Sequence, residues 1–155
     1  MTFDTRRGTR GRRQPKGRFF RWVNTMMTRR LRRSGTGTMM GFNALVLTTV
    51  GRRSGQERAN PVGWFPGPDG SRIIVASANA AVDNPAWYYN LSAHPDKVRI
   101  EVGGRTIEVV ARQLHGDERE HAWRQIVAAA PRFAQYQERT DRVLPVIRLD
   151  PRQAA

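Results

Sequence analysis

The 155-residue chain predicts an antiparallel α+β fold, most simply a small β-barrel. Three observations carry this. Segments rich in β-branched residues recur at short intervals. Gly- and Pro-rich turns of hairpin length separate several of them. The remaining helical stretches are few and short. At this length one domain with a real core is expected.

The elements follow in order. Residues 1–17 are rich in Arg and Gly and are expected to be disordered alone. Phe19, Phe20, Trp22, Val23, Met26, Met27 and Leu31 recur at helical spacing among Arg18, Arg21, Arg29, Arg30, Arg32 and Arg33, so a basic amphipathic helix is expected over 18–33. Residues 34–37 read as a linker. Residues 1–37 therefore form a basic arm, and 38–155 form the barrel domain. Ala44–Val50 and Arg58–Phe65 read as strands joined by a turn, and the Pro- and Gly-rich stretch 66–70 leads to a third strand at Arg72–Ser77. Asp83 or Asn84 is placed to cap a helix with Pro85 at its first position, running from Ala86 to about Ala93. Val98–Val102 and Thr106–Gln113 flank the two-residue turn Gly103-Gly104. Helices are expected over Gly116–Ala130 and from Pro131 to about Arg139, and a last strand over Pro145–Leu149.

Charge divides the chain in two. Residues 1–34 hold twelve of the 27 Lys and Arg and one of the 13 acids, a net +11, while the remainder carries +3. The absence of Cys excludes disulfides and thiolate metal sites and fits a cytoplasmic location. No apolar run is long enough to span a membrane, and the N-terminus lacks the pattern of a signal peptide. His94, His115 and His121 have no ligand spacing, so no metal site is predicted. The absence of a nucleophile elbow argues against hydrolysis. Gly51-Arg-Arg-Ser-Gly55 leads into a strand rather than a helix, so it is not a nucleotide-hydrolysing phosphate loop.

That turn is still the first candidate site. A hairpin brings Arg53 and Arg58 together, and two guanidinium forks beside free turn N–H groups suit a phosphate or carboxylate. The small residues Ser77–Ala81 form either a plain loop or a close backbone contact for a ligand. Trp87 either packs in the core or forms an aromatic wall beside a flat heterocycle. Phe133 and Tyr136, at i and i+3, line a pocket or pack a helix on the sheet. The arm has three readings: it binds anionic lipid, binds nucleic acid, or packs on the domain.

Together these pieces resemble a known family. Leu47-Thr-Thr-Val-Gly-Arg-Arg-Ser-Gly-Gln-Glu-Arg-Ala-Asn-Pro61, Val75-Ala-Ser77, Asn84-Pro-Ala-Trp-Tyr-Tyr-Asn-Leu91 and Tyr136-Gln-Glu-Arg-Thr-Asp-Arg-Val-Leu-Pro-Val146 are similar, in order and spacing, to the deazaflavin-dependent nitroreductases and quinone reductases, a largely actinobacterial family. The resemblance covers about residues 40–151. It implies a split β-barrel of the FMN-binding kind and, as cofactor, reduced coenzyme F-420, an 8-hydroxy-5-deazaflavin with a phosphate and a polyglutamate tail. FMN is the less favoured cofactor. The implied reaction is hydride transfer to a quinone-like or nitro-aromatic acceptor; the alternative is a deazaflavin- or flavin-binding protein without significant turnover.

The same resemblance implies cofactor contacts from Arg52, Arg53, Ser54, Arg58, Asn60, Pro61, Ala76, Ser77, Ala78, Trp87 and Asn90. It places Gly63, Ala130, Phe133 and Tyr136 in the substrate pocket. Tyr136 is the one tyrosine kept there, and is the expected catalytic hydrogen-bond donor. The Thr140–Pro145 stretch is expected to close the barrel's edge. A lipid-soluble quinone makes sense of residues 18–33 as a contact with an anionic membrane surface, which puts the protein peripherally on the inner face of the cell membrane. Nucleic acid is disfavoured, because only the arm argues for it. Removing residues 1–34 is expected to leave cofactor affinity nearly unchanged.

Overall fold

The computed structural model describes residues 3–13, 17–34, 38–39 and 42–152. Of the expected linker at 34–37, Ser34 belongs to the first helix, and residues 35–37, with the arm–barrel boundary, lie outside the described residues. Among the described residues, eight strands form one antiparallel sheet: β1 Thr38–Met39, β2 Phe42–Val50, β3 Glu57–Gly63, β4 Phe65–Pro66, β5 Arg72–Val75, β6 Val98–Val102, β7 Arg105–Gln113 and β8 Val146–Pro151. The order is β1-β2-β6-β7-β8-β5-β4, with β3 paired to β2. Four α-helices among the described residues flank the sheet: α1 Arg18–Ser34, α2 Ala86–Ala93, α3 Gly116–Ala129 and α4 Arg132–Arg139. The strands and helices read from the sequence are present with shifts at their ends. The second expected strand divides at Trp64, whose N–H bonds the Asn43 carbonyl at 3.1 Å. The expected side-chain cap of α2 does not form; Pro85 takes the cap position, and Asp83 instead accepts from Tyr89 and from the Asn84 N–H.

Strand periodicity builds two cores. On β5, Ile74 joins Leu47, Ile100, Ile147 and Tyr88 in a first cluster closed by α2. Its neighbours Ile73 and Val75 point the other way, into a second cluster with Leu114, Ile126, Phe133 and Leu144 under α3 and α4.

Residues 3–13 of the N-terminal segment, expected to be disordered alone, lie against the barrel. Phe3 is buried edge-on to Tyr88, with ring centroids 5.7 Å apart. The Thr5 N–H bonds the Tyr88 hydroxyl, and the strap then pairs with residues 80–82 through Gly8 N–H to Val82 O and Arg12 N–H to Ala80 O. At Gly11 a Cβ would fall 2.6 Å from the Ala80 carbonyl oxygen, so glycine is what permits the close approach.

The helix α1 is present as expected but is not a free arm. Leu31 packs on Ala44, Val46 and Ala59, on the face of β2 and β3 away from the first core. Arg32 makes a bidentate pair with Glu101 of β6.

Candidate functional site

The hairpin between β2 and β3 organises the site. Its register pairs Thr49 with Arg58 and Val50 with Glu57. Strand alternation therefore puts Arg58 and Asn60 on one face and Glu57 and Ala59 on the other. Glu57, the hairpin's one acid, is ion-paired with Arg99 of β6. That partner holds the Glu57 carboxyl below its usual range.

The turn is braced from within. The Gly51 N–H bonds Gln56 O at 2.7 Å, Gly55 N–H bonds Gly51 O at 2.9 Å, and Ser54 Oγ accepts from the Gln56 N–H at 3.2 Å. Gly55 has φ +69°, which disfavours any side chain there. Asn90 of α2 accepts from the Arg52 N–H at 3.0 Å and donates to Thr49 Oγ1 at 3.1 Å. These bonds correct the expectation of a nest of free N–H groups: within the turn, only those of Arg53 and Ser54 lack a partner among the described residues. What the turn offers an anion is chiefly its guanidinium groups. That of Arg52 lies 4.7 Å from the Tyr89 ring centre. Those of Arg53 and Arg58 are exposed and make no hydrogen bond or ion pair among the described residues.

These groups border a groove of about 560 Å³. The hairpin supplies Gly51, Arg52, Arg53, Ser54, Arg58, Ala59 and Asn60; α2 supplies Ala86, Trp87 and Asn90. Seven residues expected at the cofactor site thus come together: Arg52, Arg53, Ser54, Arg58, Asn60, Trp87 and Asn90. The third wall was missed by sequence reasoning. It is α1, through Phe20, Arg21, Asn24 and Thr25, with Asn24 Nδ2 donating to Asn60 Oδ1 at 3.0 Å. A sequence signal existed: Asn24, Thr28 and Leu31 share one helical face, a polar notch in an otherwise basic and apolar helix.

The other expected residues lie elsewhere. Pro61 follows Asn60 on β3 without lining the groove. Ala76 is fully buried and both its backbone groups are used, its N–H by Pro145 O and its carbonyl by Arg142, so it supports the loop rather than offering a contact surface. Ser77 and Ala78 are half-buried on that loop. Ala130 and Phe133 are buried in the second core, outside the groove lining. Gly63 is exposed at the end of β3. Tyr136 packs edge-on to Phe133 at 5.5 Å, outside the groove lining, on a helix that adjoins residues 78–80.

Loop 76–84 is held by Arg142, which is 2% exposed. Its guanidinium donates to Ala81 O at 3.2 Å, Ala76 O at 2.8 Å, Ser77 O at 2.8 Å and Asn84 Oδ1 at 2.7 Å. Next to it, Asp141 accepts from the Thr9 and Arg10 N–H groups, each at 2.8 Å, and from the Thr9 hydroxyl. Those bonds lower its carboxyl pKa to about 2. The Thr140–Pro145 stretch thus fastens both the loop and the strap. Ala78 and Ala80 have φ of +47° and +64°, strain that these contacts hold in place.

A second cavity, of about 550 Å³, lies over the other core, lined by Pro66, Ile73, Leu114, Asp117, Glu118, His121 and Arg148 among others. Volume does not separate the two cavities, but charge does. The first has four arginines and no acid in its lining; in the second, Arg148 lies near three acids, Asp69, Glu118 and Asp150.

Residues 20–151 match the model of the F420H(2)-dependent quinone reductase family. The chain belongs to this family. The match takes in α1 from Phe20 onward, the helix that walls the groove. F420H(2)-dependent quinone reductase Rv1261c of Mycobacterium tuberculosis is 37% identical over 108 residues, 67% of this chain and 70% of that protein. Among solved structures, an F420-H2 dependent reductase (FDR-A) superimposes with TM-score 0.62 at 36% identity, covering 69% of this chain and 93% of the other. Another, titled as a domain-swapped dimer, gives TM-score 0.65 at 34% identity over 86% of this chain and all of the other. Family membership makes this quinone reductase homologue an F-420-dependent oxidoreductase on a split β-barrel. The groove suits such a cofactor. Its unpaired guanidinium groups match a polyanion, its lining holds no acid to repel one, and Trp87 offers a flat apolar surface.

Proposed function

We propose that the groove binds reduced coenzyme F-420 and that the protein passes its hydride to a quinone. The observation that carries this is the pair Arg53 and Arg58, unpartnered in a groove without acids. Two guanidinium groups on one rigid hairpin suit the cofactor's phosphate. When bound, coenzyme F-420 supplies two electrons as a hydride. The protein's part is then to bind, orient and exclude water. Asn90 fixes the turn that carries Arg53, and Trp87 presents a face to a planar ring. Ser77 and Ala78, outside the groove lining on the loop that Arg142 holds, are further cofactor contacts in this reading. The Tyr136 hydroxyl makes no hydrogen bond among the described residues, which supports it as a donor to the acceptor; Tyr136→Phe should then slow turnover and leave cofactor affinity unchanged. Oxidation of the reduced deazaflavin with menadione, followed by the return of its absorbance, tests the whole reading. Binding without oxidation of any quinone refutes it.

A finer proposal concerns the membrane. The outward side of α1 exposes Phe19, Trp22 and Met26 at 77%, 59% and 46%, with Phe19 and Trp22 stacked 6.2 Å apart and Arg29, Arg30 and Arg33 exposed beside them. No helix among the described residues is long and apolar enough to cross a membrane. An apolar stripe ringed by arginine supports peripheral binding to anionic lipid, where a lipid-soluble quinone would be met. Trp22→Ala should weaken sedimentation with anionic vesicles. Equal binding of the parent protein to neutral vesicles would refute the electrostatic part.

A further inference from the structure

We infer that Arg21 of α1 is a further cofactor-binding residue, one that takes the carboxylates of the cofactor's glutamate tail. This rests on the reading of the groove given above. Arg21 lines the same groove as Arg53 and Arg58, and its side chain makes no ion pair or hydrogen bond among the described residues. It is also held in place. Asn24, three residues on, is bonded to Asn60 at 3.0 Å, and farther along α1 Leu31 is buried and Arg32 is paired with Glu101. Other arginines of α1 have other surroundings: Arg32 is committed to Glu101, and Arg29 is absent from the groove lining.

Charge decides which part of the cofactor Arg21 meets. Two guanidinium groups suffice for one phosphate, and the hairpin supplies them. Arg52, over the Tyr89 ring, already adds a third charge, and Arg21 beside them adds further like-charge repulsion unless more negative charge arrives. The cofactor carries that charge beyond its phosphate, as carboxylates. Arg21 therefore extends the site along the tail, and α1 belongs to the cofactor site. Loss of residues 1–34 should cost affinity, contrary to the expectation from sequence.

The test is a set of binding titrations on the full chain, read by deazaflavin fluorescence. Three oxidised probes are used: the deazaflavin riboside, the phosphate-bearing form without glutamate, and coenzyme F-420 with several glutamates. Arg21→Ala should weaken the last roughly five- to tenfold and leave the first two within about twofold. Arg29→Ala should change none of them. Arg58→Ala should weaken both phosphate-bearing forms. If Arg21→Ala behaves like Arg29→Ala, or weakens the glutamate-free form as much as the full cofactor, the assignment is overturned. If Arg58→Ala leaves all three probes unchanged, the groove reading itself has failed, and that failure is visible apart from anything Arg21 does.

Discussion

The hairpin at 51–60 and the closed end at 140–145 both present arginine, in opposite circumstances. Arg142 is buried, and its guanidinium meets four oxygens between 2.7 and 3.2 Å. Desolvation lowers its pKa, yet an arginine in such a cage stays charged. Arg53 and Arg58 are exposed and meet nothing among the described residues. The first arrangement is complete and holds a loop; the second is incomplete and awaits an anion. Residue type alone does not distinguish architecture from binding. The partners do.

The comparison breaks most visibly at Arg142. Arg142→Met leaves the carbonyls of Ala76, Ser77 and Ala81 and the Asn84 amide oxygen without their donor, and should destabilise the fold by about 3–5 kcal/mol. Denaturant titration measures this. Arg142→Lys should recover little, because one ammonium cannot reproduce the planar fork. A loss below about 1 kcal/mol would mean that the loop has other support. At the hairpin the effect should move from stability to binding. Arg58→Ala should cost about 2 kcal/mol of cofactor affinity, roughly thirtyfold in Kd, with little change in the unfolding midpoint. A destabilised but normally binding Arg58→Ala variant would reverse the comparison.

How much of this was legible in the sequence follows from range. Strands, turns and short helices are local patterns, and Val98–Val102 and the Gly103-Gly104 turn were read correctly from them. The convergence of Arg53 and Arg58 was also local, since one hairpin creates it. Trp87 was legible only as one of two alternatives, core packing or an aromatic wall, and Asn90 joined the site only through the family resemblance. What escaped depends on distant contacts. No local rule says that Arg-Gly-rich residues 3–13 lie against residues 80–82, or that α1 docks beside β3 through Asn24 and Asn60. Phe133 and Ala130 were assigned by a family position alone, and the structure shows them packed with Phe65 and Ile126 in the second core.

The strap offers a pH test of the closed end. Asp141 has a folded pKa of about 2, below the ordinary carboxylate value near 4. A depressed pKa means that its contribution is full above the unfolded value and is lost as pH falls through the folded one. The window is thus about pH 4 down to 2. The Thr9 and Arg10 amide resonances should shift with a midpoint near 2, and the midpoint should disappear in Asp141→Asn. A midpoint near 4 would show that the strap amides do not hold this carboxylate.

The smallest expected effect belongs to the second cavity. Glu118 is exposed and paired with Arg112 at 2.9 Å. Glu118→Gln should change stability by no more than about 0.5 kcal/mol, because exposed pairs gain little over their hydration. Its value lies in the binding measurement. The two cavities are almost equal in volume and differ in charge. If the anionic cofactor occupied the acidic one, removing Glu118 would relieve repulsion and tighten binding. An unchanged Kd in Glu118→Gln, beside a weakened one in Arg58→Ala, would place the cofactor by charge in the groove that volume alone could not choose.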